Sequence, residues 1–449
     1  MLIKNCTLIT WGSPNQIIPN QSIRIKAEKL SEIGPADELL PVLNEEVIDA
    51  KGQFAMPGNI CAHTHFYGAF SRGMAIPGPA PKIFPEILEK LWWPLDKALD
   101  LEDVRYSALV CLANAIRHGT TTLIDHHASP NAIDGSLDTI AKSVLESGLR
   151  ASLCYEVTDR NGLAQAESGI QENLKFIRWL KLQPDLRNVL GATFGLHASL
   201  TLSDKTLQKC RDLTPEDVGF HIHVAEHFSD EDDSKAKSGT RVVDRLANFG
   251  ILGPKTIAVH CVHIDQRETE LLRESGTWVT HQPRSNMNNA VGMAAVESMM
   301  RAGIKVCLGN DGFSNAMWEE WKAAYFAHKL WHQDPRRLGG YDVVKMAVYN
   351  NAELVANQFG GLRAGEIAVG AAADMMLVDY KPITPFTAEN LPWHILFGFN
   401  ESMITTTIAR GKVLMLNREL QTLDDEKIAF EARRRASNVW KRYENQFSS

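Results

Sequence analysis

The two ends of the chain share a pattern of alternating apolar and polar residues. The pattern runs through the first 57 residues, as in MLIKNCTLITW and SIRIKAEKLSEIG, and it returns in GEIAVGAAADMMLVDY and MITTTIARGKVLMLN. Alternation punctuated by Gly, Pro and Asn is typical of half-buried antiparallel strands. We therefore expect residues 1–57 and 362–423 to pack together as one composite β-sandwich-like domain. The Ala-, Arg- and Glu-rich residues 424–449 predict a C-terminal surface helix.

The middle of the chain, residues 58–361, has a different rhythm. Apolar runs rich in β-branched residues alternate there with helical patterns that end in Gly, such as LDTIAKSVLESG and RETELLRESG. The runs lie near residues 59–63, 120–125, 150–157, 191–196, 218–224, 256–260, 277–280 and 304–309. Eight is the number of strands that closes a parallel barrel, and no GxGxxG motif supports a dinucleotide-binding sheet. The predicted fold class is therefore α/β, a (β/α)8 TIM-type barrel flanked by the composite β domain.

One connection in the predicted barrel is unusually long. Residues 66–94 follow the first strand and are rich in Pro, Gly and aromatic side chains. Active sites of such barrels lie at the carboxyl ends of the strands, and long loops at that end are commonly lids or substrate-binding segments. We expect this segment to border the site, with a plain connector as the alternative.

Composition and charge exclude several classes of protein. Hydrophobic residues make up 44% and charged residues 22% of the 449-residue chain, which is typical of a globular enzyme. Lys and Arg number 47 against 54 Asp and Glu, and this net charge of −7 without a basic run argues against nucleic-acid binding. No stretch approaches the 18 apolar residues of a membrane span. Seven cysteines without CxxC pairs predict reduced thiols and a cytoplasmic location.

Histidines and carboxylates recur at the predicted carboxyl ends of the barrel strands. They are His63 and His65 on strand one, His221 and His223 followed by Glu226 on strand five, His260 on strand six and Asp311 on strand eight. Alternate residues of a strand point to one face, so both rings of an HxH pair can reach the barrel mouth. A single HxH pair is more often two ordinary histidines, but so many such groups on one rim predict a metal site. Imidazoles with one carboxylate suit a divalent ion such as Zn²⁺ with an open position for water.

The motifs around these residues resemble those of the amidohydrolase superfamily. In family order they read MPGNICAHTHF, HGTTTLIDHH, GLHAS, HIHVAE, VHCVH, HQPRSN and LGNDG, over residues 56–312. The likeness lies within the branch of cytosine, guanine and S-adenosylhomocysteine deaminases and triazine hydrolases. It is strongest to the SsnA-like aminohydrolases, through LWWPLDKAL, IDHHASP, TDRNG and RSNMNN.

This resemblance implies a role for each group. His63, His65, His223 and Asp311 would hold one divalent metal ion, Zn²⁺ in preference to Fe²⁺. Asp311 would take a proton from the metal-activated water, Glu226 would protonate the ring nitrogen beside the attacked carbon, and His260 would stabilise the developing charge. The fourth-strand segment GATFGLHAS lacks the Lys that bridges two metals in binuclear relatives, which favours one metal ion.

Five further residues are candidates for binding substrate. For His197 in GLHAS the alternative is a hydrogen bond that supports a metal ligand. Arg284 in HQPRSN and Arg160 in TDRNG are suited to grip a carboxylate, phosphate or ring carbonyl, with a structural salt bridge as the alternative. Glu86 aligns with an acid that binds ribose hydroxyls in nucleoside-deaminating relatives. Trp92 could stack on a flat ring instead of only packing.

The predicted function is hydrolytic deamination of an amino-substituted nitrogen heterocycle, with a purine-like ring favoured. A chlorohydrolase or N-alkylaminohydrolase acting on a triazine-like ring is the alternative within the same scaffold. Glu226 favours the amine, because an amine leaves poorly without protonation whereas chloride does not need it. A non-catalytic scaffold barrel is a remote alternative, since every ligand is present. The resemblance also implies a homodimer or larger homo-oligomer.

Overall fold

The computed structural model describes residues 1–448. Its strands are β1 (Leu2–Ile9), β2 (Ile17–Lys26), β3 (Lys29–Pro35), β4 (Val47–Asp49), β5 (Phe54–Pro57), β6 (Asn59–Thr64), β7 (Thr120–Asp125), β8 (Arg150–Leu153), β9 (Leu190–Ala192), β10 (Phe194–Ala198), β11 (Phe220–Val224), β12 (Ile257–His260), β13 (Trp278–His281), β14 (Val306–Leu308), β15 (Met375–Val378), β16 (Ile404–Ala409), β17 (Lys412–Leu416) and β18 (Glu419–Leu420).

The α-helices, in chain order, are α1 (Phe84–Ile87), α2 (Trp93–Lys97), α3 (Leu101–Arg117), α4 (Ser136–Ser147), α5 (Leu163–Lys181), α6 (Asp204–Leu213), α7 (Phe228–Ser238), α8 (Val242–Asn248), α9 (Gln266–Ser275), α10 (Pro283–Asn288), α11 (Val296–Arg301), α12 (Met317–His332), α13 (Gly340–Val344), α14 (Asn351–Gln358), α15 (Leu391–Phe397) and α16 (Asp425–Glu444). Short 3₁₀ and π-helical turns join several of them, including Phe66–Ser71 and Leu88–Trp92. Among residues 1–448, no helix combines the length and apolarity needed to cross a membrane.

The strands from both chain ends form one sheet beside the barrel. Its order is β18-β17-β16-β15-β5-β1-β2-β3, and β4 pairs with β1. The two ends meet where β15 runs antiparallel to β5, with Met375 opposite Pro57 and Val378 opposite Phe54. The predicted flanking domain built from both ends is therefore confirmed, whereas its exact boundaries stay predictions.

The middle of the chain forms the predicted parallel barrel. Strands β6 to β9 pair in sequence order, as do β10 to β14, and every pair is parallel. A bridge between Val157 and Leu196 joins the two halves, and a bridge between Thr64 and Asp311 closes the ring. The predicted fourth strand at 191–196 is divided at Thr193 into β9, which pairs with β8, and β10, which pairs with β11.

The helices around the barrel have defined caps, and the predicted glycine stops are present. Asp100 and Asp103 form a capping box at the start of α3, with the Asp103 backbone N–H donating to Asp100 at 2.8 Å. Gly148 and Gly276 follow α4 and α9 in left-handed conformations, with φ of 85° and 69°. The predicted C-terminal helix is α16, whose cap Asp424 accepts a hydrogen bond from the Lys427 backbone N–H.

A buried ion pair ties the barrel to the flanking sheet. Arg150 opens β8 and is fully buried, and Asp374 immediately precedes β15. The guanidinium donates to both carboxylate oxygens, from Nε to Oδ2 at 2.7 Å and from Nη2 to Oδ1 at 3.3 Å. Asp374 also accepts from the Arg410 backbone N–H at 2.7 Å. Removing Asp374 would leave the buried Arg150 with only the partly exposed Glu28, 3.7 Å away, as a counter-ion.

We expect Asp374→Ala to lower the free energy of unfolding by about 3–5 kcal/mol, because Arg150 would lose its buried counter-ion. Urea unfolding followed by tryptophan fluorescence measures the change. The exposed Asp379, just after β15, is the matched control, and Asp379→Ala should change stability by less than about 0.5 kcal/mol. Equal effects of the two substitutions would show that the ion pair contributes little.

Candidate metal centre and substrate cavity

Four side chains from three parts of the barrel rim converge on one point. His63 and His65 lie on β6, His223 lies on β11, and Asp311 follows β14. Nε2 of His65 lies 3.2 Å from Nε2 of His223 and 3.1 Å from Oδ1 of Asp311. Nε2 of His63 lies 3.8 Å from the same carboxylate oxygen. The structure thus brings together the four side chains that the family resemblance implies as ligands.

Hydrogen bonds on the far side of each ring orient these imidazoles. Nδ1 of His65 donates to the His126 carbonyl at 2.5 Å, and Nδ1 of His223 donates to the His197 carbonyl at 2.9 Å. Nδ1 of His63 lies 2.9 Å from Nε2 of His221. A ring whose Nδ1 carries the hydrogen presents the lone pair of Nε2 to the centre.

The centre fits a divalent metal ion. Nε2 of His63 is buried and has no hydrogen-bond partner among residues 1–448, so the fold leaves a buried lone pair aimed at the other donors. Three imidazole nitrogens and one carboxylate are a donor set suited to zinc and similar first-row ions. An unpaired buried polar atom is costly unless something binds it.

Asp311 is held in an unusual backbone conformation by the strand that begins the barrel. Its φ is 57°, in the left-handed region, and its carbonyl accepts from the His65 backbone N–H and the Thr64 hydroxyl, both at 3.1 Å. Oδ2 accepts from the Ser285 hydroxyl at 2.5 Å. Burial raises the pKa of Asp311, but the hydrogen bond from His65 and the charges of His65 and His260 outweigh it and hold the pKa below its usual range.

Glu226 lies next to this centre as a buried acid. Ala225 before it has φ of 46° and turns the chain at the end of β11. Oε2 of Glu226 lies 3.4 Å from Nε2 of His260, and Oε1 accepts from the Asn289 amide at 3.3 Å. Burial and then the negative charge of Asp311 raise the pKa of Glu226 well above its usual range, against the opposing hydrogen bond from Asn289. A carboxyl in this setting can hold a proton and donate it.

His260 completes the polar side of the centre. It ends β12 with φ of 71°, and Nδ1 donates to the Asn286 side-chain oxygen at 2.8 Å. Nε2 lies 3.8 Å from Oδ2 of Asp311 and has no hydrogen-bond partner in the described part of the chain. The ring is therefore positioned from behind, with its free nitrogen towards Asp311 and Glu226.

A cavity opens over the centre. One wall comes from the long segment after β6, as expected, and consists of Tyr67, Phe84, Leu88, Trp92 and Trp93. The polar groups on the remaining surface include His197, Glu156, Glu226 and Asn289. Apolar walls with a few fixed polar groups are typical of small-molecule sites.

The other predicted substrate residues divide into two groups. His197 and Trp92 line the cavity. Arg160 instead pairs with the buried Asp96 and lies over the Trp93 ring, 5.3 Å from its centroid. Such contacts match the salt-bridge alternative.

The remaining two candidates, Arg284 and Glu86, also form their contacts outside the cavity lining. Arg284 is held by Glu319, by Glu320 at 2.5 Å and by Ser314, again as in the salt-bridge alternative. Glu86 accepts from the Lys82 backbone N–H at 3.1 Å and from Lys90 at 3.4 Å.

Several residues that contact the centre could not be identified from the sequence. Ser285 and Asn289 lie four residues apart on and just after α10, so both face the centre, and Asn286 reaches His260. Their motif RSNMNN was visible, but nothing in it marks which amides point inward. Glu156 lies in the predicted strand run 150–157, and no spacing signal separates it from its neighbours.

Known proteins resemble this chain in sequence and in fold. The model of the amidohydrolase family matches residues 54–414. The chain is 33% identical over 445 residues to the 5′-deoxyadenosine deaminase of Methanosarcina mazei, covering 98% of both chains. It is 31% identical over 442 residues to the 5-methylthioadenosine/S-adenosylhomocysteine deaminase of Pelotomaculum thermopropionicum, covering 97% of this chain and 98% of the relative. The crystal structure of an adenosine deaminase from Xanthomonas campestris with bound zinc superposes with a TM-score of 0.82 at 23% identity, over 98% of both chains, and confirms the fold.

We expect His63→Ala to lose bound metal, because the change removes the buried Nε2 from the donor set. Metal content after dialysis, measured by inductively coupled plasma mass spectrometry, checks this. The exposed His332 at the end of α12 is the control, and His332→Ala should keep the wild-type metal content. Full occupancy in His63→Ala would remove His63 from the ligand set.

Proposed function

Because this chain belongs to the amidohydrolase family, we propose that it is a metal-dependent aminohydrolase that removes the amine from a purine-like heterocycle. The observation that carries the proposal is the position of Glu226, a buried acid within 3.4 Å of His260 and beside Asp311 at the floor of the cavity. The relatives that are similar over nearly the whole chain are named as deaminases of adenosine-like nucleosides. An adenosine-like substrate with a modified 5′ position is therefore our preferred substrate class.

A divalent metal ion held by His63, His65, His223 and Asp311 would act as a Lewis acid and make a water molecule nucleophilic at neutral pH. We propose zinc as the ion, since borderline imidazole donors with one carboxylate suit it, and Fe²⁺ is the alternative. A zinc-containing neighbour of the same fold supports this choice.

The side chains of this protein would then move the protons. The water oxygen bonds to the ring carbon that carries the amine, and Asp311 accepts a proton from that water through a carboxylate already oriented by Ser285. Glu226 donates its proton to the neighbouring ring nitrogen, then takes the proton of the new hydroxyl and passes it to the amine, which leaves as ammonia when the carbon–nitrogen bond breaks. The proton held by Asp311 returns to Glu226, so both carboxyl groups regain their starting state. His260, fixed by Asn286, stabilises the charge that develops beside it.

The cavity walls suit a flat ring with an apolar substituent. Trp92, Trp93, Tyr67, Phe84 and Leu88 give the cavity an aromatic and apolar lining. Aromatic side chains pack favourably on flat heterocycles. This wall suits a substrate whose ring lies near the metal ion and whose uncharged substituent lies along the aromatic segment.

Glu226 favours the departure of an amine over the departure of chloride. A chlorohydrolase does not need a proton donor for its leaving group, whereas Glu226 is buried against the centre in a setting that holds a proton. The scaffold alternative loses support because the four donors and the acid lie together.

Two finer proposals concern the protein as a whole. The exposed aromatic pair of Phe326 on α12 and Phe397 on α15, with ring centroids 6.0 Å apart, supports a homodimer or larger homo-oligomer, since contiguous apolar patches mark interfaces. All seven cysteines are free thiols, which supports a reducing, cytoplasmic compartment.

We expect Glu226→Gln to keep its metal and to lose about 10²–10⁴-fold in the rate of ammonia release, because the amide cannot pass a proton to the ring. The assay uses metal-reconstituted protein with 5′-deoxyadenosine, other adenine nucleosides, aminopterins and aminotriazines. The exposed Glu216 offers the matched control Glu216→Gln, which should react at the wild-type rate. Normal turnover by Glu226→Gln would contradict the proton-transfer role, and silence of the wild type on every ring would contradict the deaminase proposal.

A further inference from the structure

Glu156 lies in the cavity wall, and its carboxylate oxygens accept no hydrogen bond from residues 1–448. It is 3% exposed, follows β8, and its backbone N–H donates to the His127 carbonyl at 2.8 Å. Oε2 lies 3.3 Å from Nδ1 of His126, and Oε1 lies 3.7 Å from Nε2 of His197 and 3.9 Å from Arg160. Nδ1 of His126 and Nε and Nη1 of Arg160 have no hydrogen-bond partner within residues 1–448.

His126 does not supply the missing donor in its neutral form. Its Nε2 lies 3.1 Å from both the Leu196 and the His221 carbonyls, so Nε2 carries the ring hydrogen. Nδ1 is then an acceptor that faces the carboxylate of Glu156. Two acceptors face each other beside a cavity, and this arrangement calls for a donor from outside the protein.

Arg160 is shared between Glu156 and Asp96 and forms a hydrogen bond only with Asp96. Its Nη2 pairs with Asp96, which is 1% exposed, and the guanidinium lies over the face of Trp93. Two carboxylates thus share one guanidinium, and no hydrogen bond joins it to Glu156. A metal cation is disfavoured in the same place, because Arg160 lies 3.9 Å from Oε1 of Glu156.

We propose that Glu156 is a specificity-determining residue that accepts hydrogen bonds from hydroxyl groups on a sugar-like substituent of the substrate. This inference rests on the proposed function, because in an adenine nucleoside the hydroxyls are the donors that remain once the scissile amine is assigned to the metal centre. His197, next to Glu156 on the same wall, offers a second polar contact. The acid in the long segment, Glu86, is already engaged by Lys82 and Lys90 and is not part of the cavity lining.

The test compares 5′-deoxyadenosine with 2′,3′,5′-trideoxyadenosine, which lacks the hydroxyls, as substrates of wild type and Glu156→Gln. A hydrogen bond to a charged group predicts that wild type prefers 5′-deoxyadenosine by about ten- to a hundredfold in kcat/KM. In Glu156→Gln this preference should fall towards unity, mainly through KM, with metal content and thermal midpoint as in wild type. Glu86→Gln is the matched rival, and it should keep the preference.

Each outcome decides between the proposals. Ammonia release by the wild type tests the deaminase proposal, whereas the preference between the two nucleosides tests Glu156. Loss of preference in Glu86→Gln, or equal losses on both nucleosides in Glu156→Gln, would overturn the role of Glu156 alone. If Glu156→Gln does not fold, the wild type still decides, because equal kcat/KM for the two nucleosides would refute a hydroxyl contact. A wild type that neither deaminates nor binds either nucleoside by calorimetry would overturn both proposals.

Discussion

Closure of the parallel barrel is the constraint on which the site depends. The bridge between Thr64 and Asp311 joins the first strand to the chain after the last, and it is the contact that puts Asp311 beside His63 and His65. Parallel strands all end at the same rim, so residues far apart in sequence share one mouth only when the ring is closed. Without that closure the HxH pair on β6 and the carboxylate after β14 would be independent features.

Many polar groups are buried at the closed rim, and backbone carbonyls accept hydrogen bonds from some of them. The carbonyls of His126 and His197 fix two of the imidazoles, so the orientation of a candidate ligand depends on a neighbouring strand. Positive φ values recur at the same places, at Ala225, His260 and Asp311. Strained backbone of this kind persists where surrounding structure enforces it, and it concentrates at functional sites.

The two walls of the cavity differ in chemistry and in origin. The segment after β6 supplies aromatic side chains that suit a flat ring, whereas the ends of β8 and β10 supply Glu156 and His197. The flanking sheet does not reach this cavity lining, but the Arg150–Asp374 pair fixes it to the barrel. The metal centre, the walls that would bind substrate and the sheet that supports the barrel therefore come from separate parts of the chain.

The sequence by itself determined the barrel, the flanking sheet and the inner set of polar residues. Strand ends and alternation indicate which side chains face the mouth, and the resemblance of the surrounding motifs to a known family implied His63, His65, His223 and Asp311 as the ligands. Only the tertiary structure decided the surroundings. Arg160 and Arg284 are held by Asp96 and by Glu319 and Glu320, and these acids lie far from them along the chain. The sequence also did not determine which acid, Glu156 or Glu86, faces the cavity. The two differ in the loops and rings that pack around them. Packing between distant segments leaves no periodic pattern in the sequence.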